Sequence, residues 1–251
     1  MDEFDKGQHM LLDSEVIERE IEEAQVTKKD NVMEIGAGTG FLTRELVKEC
    51  KTLTVFEIDD KFKETLQEIK KKNKNLKVIF DDCLNHDWRT YDKIVANVPY
   101  YLSEAILRKA IRDDINSMVL IVGANFKELL FSSEKPGLLG RKFYDIREVL
   151  LVPAESFDPM PRTDSYLLHF IKKEDLTEKD RAIIGLYNAK GKVKNYLIQL
   201  IRDSGKTNKE AKEIVKSLGL QEQVLEKPVL KVTGKLLGIL EEVIGNIYSK
   251  R

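Results

Sequence analysis

The run Glu34-Ile35-Gly36-Ala37-Gly38-Thr39-Gly40 constrains this chain more than any other segment. Before it stands a short apolar stretch, Asn31–Ile35, that reads as a buried strand. After it, residues 41–50 place Leu42, Leu46 and Val47 on one face of a helix. Three glycines in five positions at a strand-to-helix junction allow a tight turn and close approach of a ligand to the backbone. Such turns bind phosphates and dinucleotides in many α/β folds. The spacing here is G-x-G-x-G, not G-x-G-x-x-G, and the loop lacks the lysine of a phosphate-cradling loop. Both of those nucleotide classes are therefore disfavoured.

The elements around the loop alternate. Residues 14–25 read as a helix carrying Val16, Ile17, Ile21 and Ala24 on one face. Strands at 53–58, 76–80, 91–96 and 117–122 alternate with helices at 61–72 and 103–112. A helix near 126–131 and strands near 146–152 and 165–171 complete this part. The alternation implies βαβ units and a mainly parallel sheet, an α/β fold. Beyond Lys173 no strand pattern remains. Thr177-Glu178-Lys179-Asp180 and Thr207-Asn208-Lys209-Glu210 read as helix starts, with Gly219 and Pro228 as breaks. The expected organisation is a ligand-binding domain of residues 1–173 and a small helical domain of residues 174–251.

Composition excludes several classes. With 42% hydrophobic and 34% charged residues, the chain has an ordinary soluble composition. No apolar run approaches the ~20 residues of a membrane span. The first residues are acidic and polar and do not read as a secretory signal, so the expected compartment is the cytoplasm. Cys50 and Cys83 have no C-x-x-C spacing, and His9, His86 and His169 are scattered, so no metal centre is expected. The net charge of -1 hides an asymmetry. Residues 173–251 hold 16 Lys/Arg against 11 Asp/Glu, and the remainder 26 against 32. Excess positive charge in one part suits a polyanionic partner, or simply a solvated helical surface.

Three further strand ends carry polar chemistry. Glu57 ends the second strand, 17 residues after Gly40, where a carboxylate can accept from ribose hydroxyls. Asp82 follows the third, with Cys83 offering a backbone amide. Asn97-Val98-Pro99-Tyr100 follows the fourth. An Asn carbonyl and a backbone carbonyl can accept both N–H groups of an exocyclic aromatic amine and localise its lone pair. Pro99 fixes the turn, and Tyr100 can stack on a base. Each segment also has a plainer reading, as turn or surface, when taken alone.

The acidic-glycine run resembles the first motif of Rossmann-like methyltransferases, which implies S-adenosylmethionine as cofactor. The late strands then resemble the antiparallel pair many methyltransferase sheets carry. More specifically, the chain resembles the ribosomal RNA adenine dimethyltransferases of the small subunit. The resemblance covers most of residues 6–172. It rests on Gly7-Gln8-His9-Met10-Leu11-Leu12-Asp13, the Gly36 loop, Glu57, Asp82 and Asn97-Val98-Pro99-Tyr100-Tyr101-Leu102-Ser103. It closes on Phe157-Asp158-Pro159-Met160-Pro161-Arg162-Thr163-Asp164-Ser165.

Carried over by motif, His9, Leu11, Gly36, Gly38, Glu57, Ile58, Asp82, Cys83 and Asn97 would contact the cofactor. Asn97, Pro99 and Tyr100 would hold the target amine. Phe157 reads equally as a second aromatic wall or a packed loop aromatic, and His9 as a cofactor contact or a packed loop residue. The implied activity is N6-methylation, up to dimethylation, of adenines near the 3′ end of small-subunit ribosomal RNA. The implied partner is that RNA or the small-subunit precursor, with no membrane, and a monomer is expected.

The chain also departs from the pattern. Q-x-E-x-A-x-R is replaced by Val122-Gly123-Ala124-Asn125-Phe126-Lys127-Glu128, and an Arg-Arg-Lys run by Lys190-Gly191-Lys192-Val193-Lys194-Asn195. Lys190, Lys192, Lys194 and Arg202 could contact phosphate or form a solvated face. Two alternatives therefore stand beside the main reading. One is a large-subunit methylase of the antibiotic-resistance type. The other is a ribosome-assembly or RNA-binding factor of low activity on the same fold.

Overall fold

A computed structural model describes residues 9–232 and 235–249. Gly7 and Gln8, which open the N-terminal motif, lie outside the described residues. Two compact units emerge: residues up to Phe131 with Tyr144–Lys172, and Ser132–Phe143 with the residues from Lys173 on.

The first unit is built on seven strands: β2 (Asn31–Ile35), β3 (Thr52–Phe56), β4 (Leu76–Ile79), β5 (Lys93–Asn97), β6 (Ser117–Gly123), β7 (Tyr144–Val152) and β9 (Ser165–Lys172). They lie in the order β4-β3-β2-β5-β6-β9-β7. The five strands from β4 to β6 are mutually parallel, while β9 runs antiparallel to both β6 and β7. Parallel strands covered on both faces read as continuous apolar runs. In β6, the six residues Met118–Gly123 are all buried.

On one face Val32, Leu53, Val55, Val95 and Val119 join Val16, Ile17, Leu46 and Leu66 in a single apolar cluster. Those last four belong to α1 (Ser14–Ala24), α2 (Phe41–Glu49) and α3 (Lys63–Lys72). The alternate residues Met33, Ile94, Met118 and Leu120 are as deeply buried on the opposite face. Asp13 starts α1 by accepting from the amides of Glu15 and Val16 at 3.0 and 3.3 Å.

Strand order reverses between β2 and its two neighbours, since β3 lies on one side and β5 on the other. Open α/β sheets bind ligands at such a reversal, beyond the carboxyl ends of the strands. A separate two-stranded ribbon, β1 (Met10–Leu11) with β8 (Phe157–Asp158), is antiparallel and pairs Leu11 with Phe157. Two residues per strand leave no period for a sequence pattern to show.

Differences from the sequence reading are local. Strand β3 stops at Phe56, so Glu57 lies one residue past its end. A turn of 3-10 helix at Asp60–Phe62 precedes α3. The segment Lys135–Phe143 forms a helix, α6, after α4 (Ser103–Arg112) and α5 (Ala124–Phe131). Its Pro136, Gly137 and Gly140 disguise it, yet Pro is tolerated in a first helical turn. Helix α6 belongs to the helical unit, so the chain enters that unit twice rather than crossing a single border at 173/174.

The rest of the second unit is α7 (Glu178–Asn188), α8 (Val193–Asp203), α9 (Asn208–Ser217), α10 (Glu222–Leu225) and α11 (Lys235–Ser249). Thr177 with Asp180 and Thr207 with Glu210 form reciprocal capping boxes at α7 and α9. Among the described residues no helix is long and apolar enough to cross a membrane.

Candidate active site

A cavity of about 580 Å³ opens at the strand-order reversal. That volume suits a small-molecule cofactor. Its lining includes every residue the sequence assigned to cofactor or amine: His9, Leu11, Gly36, Gly38, Glu57, Ile58, Asp82, Cys83, Asn97, Pro99, Tyr100 and Phe157.

The floor is the glycine loop after β2. Gly36 and Gly38 take φ of 73° and 51°, a left-handed conformation that side chains rarely adopt. A Cβ at Gly38 would also stand 2.6 Å from the Met10 sulfur. The Gly38 amide donates to Glu57 Oε2 at 2.9 Å, and the amides of Ile58 and Asp59 donate to Oε1 at 2.8 and 2.9 Å. Three amides thus orient the Glu57 carboxylate. A carboxylate offers about four lone-pair sites, so one on Oε2 remains for a ligand hydroxyl.

Glu34 sits beneath the loop, fully buried, and accepts from Thr43 Oγ1 at 2.8 Å. Burial pushes its carboxyl up to about 8, against the Thr43 hydrogen bond and with help from the nearby Glu57 charge. At neutral pH this acid is largely protonated.

Asp82 caps the short turn Cys83–Asn85 with Oδ1, which accepts from the Leu84 amide at 2.9 Å. Among the described residues, its other oxygen accepts no hydrogen bond. Cys83 is buried, which pushes its thiol up to about 12 and leaves it unreactive. Its carbonyl accepts from Trp88 Nε1 at 2.9 Å. Trp88 is wholly buried under Lys109, whose ammonium lies 4.9 Å from the indole centroid. Trp88 therefore fixes the turn that presents Asp82 and Cys83, and packing rather than ligation is its task.

Asn97 ends β5 with its Oδ1 buried and, among the described residues, without a hydrogen-bond partner. An orphaned buried acceptor is costly, and it points to a donor arriving from a ligand. The sequence paired this atom with the Pro99 carbonyl. That carbonyl also closes the 3-10 turn by accepting from the Leu102 amide at 2.8 Å, which leaves it one lone pair. Among the described residues, the Val98 carbonyl accepts no backbone amide. It is the better second acceptor, and Val98 lines the cavity.

Tyr100 is half-buried and bonds Ser165 through its hydroxyl, Oη to Oγ 2.6 Å. Burial raises its phenol, partly offset by that hydrogen bond. The ring stacks on His9 with centroids 5.7 Å apart, and His9 Nδ1 lies 2.6 Å from the Pro159 carbonyl. Phe157 is 6% exposed and belongs to the apolar cluster as well as to the cavity wall.

Phe41, Phe56, Asp81 and Tyr101 also line the cavity and were not singled out from sequence. Each adjoins a motif residue or a strand end, the one signal that could have found them. Tyr101 is 63% exposed at the mouth.

Lys190, Lys192, Lys194 and Arg202 lie in the helical unit. Lys192 pairs with Glu226 at 2.5 Å, and Lys194 with Glu226 and Glu222 at 3.3 and 3.8 Å. Their charge is partly met within the protein. Lys190 and Arg202 are exposed and make no ion pair with described residues.

A parallel sheet with an antiparallel β9, a glycine loop over an acidic strand residue, and an Asn at the end of β5 facing the cavity mark a Rossmann-like methyltransferase. The chain belongs to the ribosomal RNA adenine dimethylase family, whose pattern it matches over residues 2–184, and is thereby an S-adenosylmethionine-dependent ribosomal RNA adenine methyltransferase. A Methanococcus vannielii protein, "Probable ribosomal RNA small subunit methyltransferase A", is 30% identical over 98% of this chain and 97% of its own. A protein of the same name from Pyrococcus abyssi is 31% identical over 71% of this chain and 68% of its own.

Among solved structures, a dimethyladenosine transferase from Plasmodium falciparum superposes with TM-score 0.67 at 22% identity, covering 96% of this chain and 98% of that one. The 23S rRNA methyltransferase ErmE gives 0.64 at 20%, covering 94% and 99%. These two likenesses speak for the fold.

Proposed function

We propose that this enzyme methylates N6 of adenines near the 3′ end of small-subunit ribosomal RNA, twice on each base. The observation that carries the chemistry is the orphaned Asn97 Oδ1 at the head of a cavity walled by aromatic rings. The residues present fit the cofactor. Glu57 would take a ribose hydroxyl, Asp82 and the Cys83 amide the adenine ring, and the backbone at Gly36 and Gly38 the methionine portion. S-adenosylmethionine, when bound, supplies an activated methyl group on a sulfonium.

The rest is positioning and electrostatics. Asn97 Oδ1 and the Val98 carbonyl accept the two N–H groups of the target amine. That pulls nitrogen toward a tetrahedral shape and exposes its lone pair. Tyr100 and Phe157 hold the base plane, and no strong general base is required. Lys190 and Arg202 on the helical unit supply phosphate contacts, which position RNA without reading its sequence.

Labelled-methyl transfer to small-subunit particles, with the modified nucleotide mapped, tests the assignment. Label is expected in dimethyladenosine near the 3′ end. Label confined to large-subunit RNA would instead support the resistance-type alternative. Cofactor binding without transfer to any RNA would support the assembly-factor alternative.

A further inference from the structure

Gly123 closes β6. Its backbone is not in the left-handed region, so conformation does not demand glycine there. Space does. A Cβ at Gly123 would meet Cγ, Cδ2 and Cδ1 of Tyr100 at 3.1, 3.1 and 3.2 Å. Nearly equal distances to three ring atoms put that Cβ over the ring's face. An aromatic ring laid on a strand glycine is a known way to cover one and pin the neighbouring geometry.

The ring cannot readily give way. Its hydroxyl is tied to Ser165 at 2.6 Å, and Ser165 is the cross-strand partner of Gly123 in the β6–β9 pairing. The two residues therefore act at opposite ends of the same ring from one rung of the sheet. A Cβ at 123 requires the ring to move by a few tenths of an ångström, within the cavity that Tyr100 lines and against the Ser165 bond.

We infer that the Gly123–Ser165 pair is the seat of Tyr100, and that Gly123 is a positioning residue for the methyl-acceptor base. The inference rests on the reading of Tyr100 as a wall of the acceptor site.

A double-mutant cycle on methyl transfer tests it, because a residue acting only through Tyr100 has no effect once Tyr100 is gone. Gly123→Ala is expected to lower kcat/KM for ribosomal RNA about tenfold, since sub-ångström misplacement of reacting groups is costly. Its Kd for S-adenosylmethionine should stay within about twofold of the parent, a change too small to count as lost affinity. In a Tyr100→Ala background, adding Gly123→Ala should change transfer by less than about twofold. Equal losses in both backgrounds, or no loss in the first, would overturn the inference.

Should Gly123→Ala fail to fold, the cycle of Ser165→Ala with Tyr100→Phe reads the same seat. Non-additive losses support it and additive losses contradict it. The NMR resonances of a ring-labelled Tyr100 give a readout independent of catalysis. They are expected to shift in Gly123→Ala and in Ser165→Ala, and unchanged resonances would refute the seat. An inactive parent enzyme with shifted Tyr100 resonances would refute the acceptor reading and leave the seat standing.

Discussion

At the scale of single residues, two carboxyls under the cofactor loop behave oppositely. Glu57 is satisfied by three amides, and its loss would free all of them. Glu57→Ala is expected to weaken S-adenosylmethionine binding by at least about tenfold, measured by titration calorimetry, with each lost charge-assisted hydrogen bond worth roughly 1.5–3 kcal/mol. Glu34 ionises near 4.5 in the unfolded chain but near about 8 in the fold. The folded state then keeps a proton that the unfolded state has released, so stability falls as pH rises across that window. Glu34→Gln should flatten the decline of melting temperature between about pH 5 and about pH 8; an unchanged slope would contradict the assignment. The sequence showed both acids but not their difference, because burial and amide geometry are set by neighbouring strands. It likewise showed Asn97-Val98-Pro99-Tyr100 but not which carbonyl keeps both lone pairs, since the 3-10 turn that engages Pro99 is a local hydrogen-bonding outcome.

At the scale of elements, α1 is clasped to the sheet by charge as well as by packing. Glu23 on α1 meets Arg147 of β7 and accepts from His169 Nδ1 of β9 at 2.6 Å; the Nε2 of that ring faces Ser117 Oγ at 3.0 Å. Burial pushes the Glu23 carboxyl up, but hydrogen bonds from His169 and Arg147 outweigh it and hold the value below 4.5. This clasp therefore stabilises the fold above about pH 4.5 and is lost as pH falls through the depressed value. Glu23→Gln should remove that part of the acid transition when unfolding is followed by circular dichroism. The two capping boxes were legible because they are short-range patterns, and each Thr→Ala at 177 or 207 should cost about 1 kcal/mol in denaturant unfolding. The ribbon of β1 with β8 was not legible, because it joins residues 146 and 148 apart through two residue pairs.

At the scale of the molecule, the alternation of strand and helix was enough to read the α/β unit, and its end enough to read the helical one. The double entry of the chain into the helical unit was hidden by the proline and glycines of α6. Charge asymmetry pointed to a basic helical unit, yet Glu222 and Glu226 already engage two of its lysines. Lys190→Glu with Arg202→Glu should therefore weaken RNA binding and lower its salt dependence by about two charges, with cofactor affinity unchanged. Lys192→Ala and Lys194→Ala should have smaller effects on the same filter-binding measurement.

The central claim is that Asn97 holds the acceptor amine through its orphaned carbonyl. The most direct measurement is single-turnover methyl transfer to small-subunit particles by Asn97→Ala at saturating S-adenosylmethionine, alongside the parent enzyme. Loss of a single preorganised polar contact predicts a rate about a hundredfold lower with the fold intact. Transfer at the parent rate would contradict the claim.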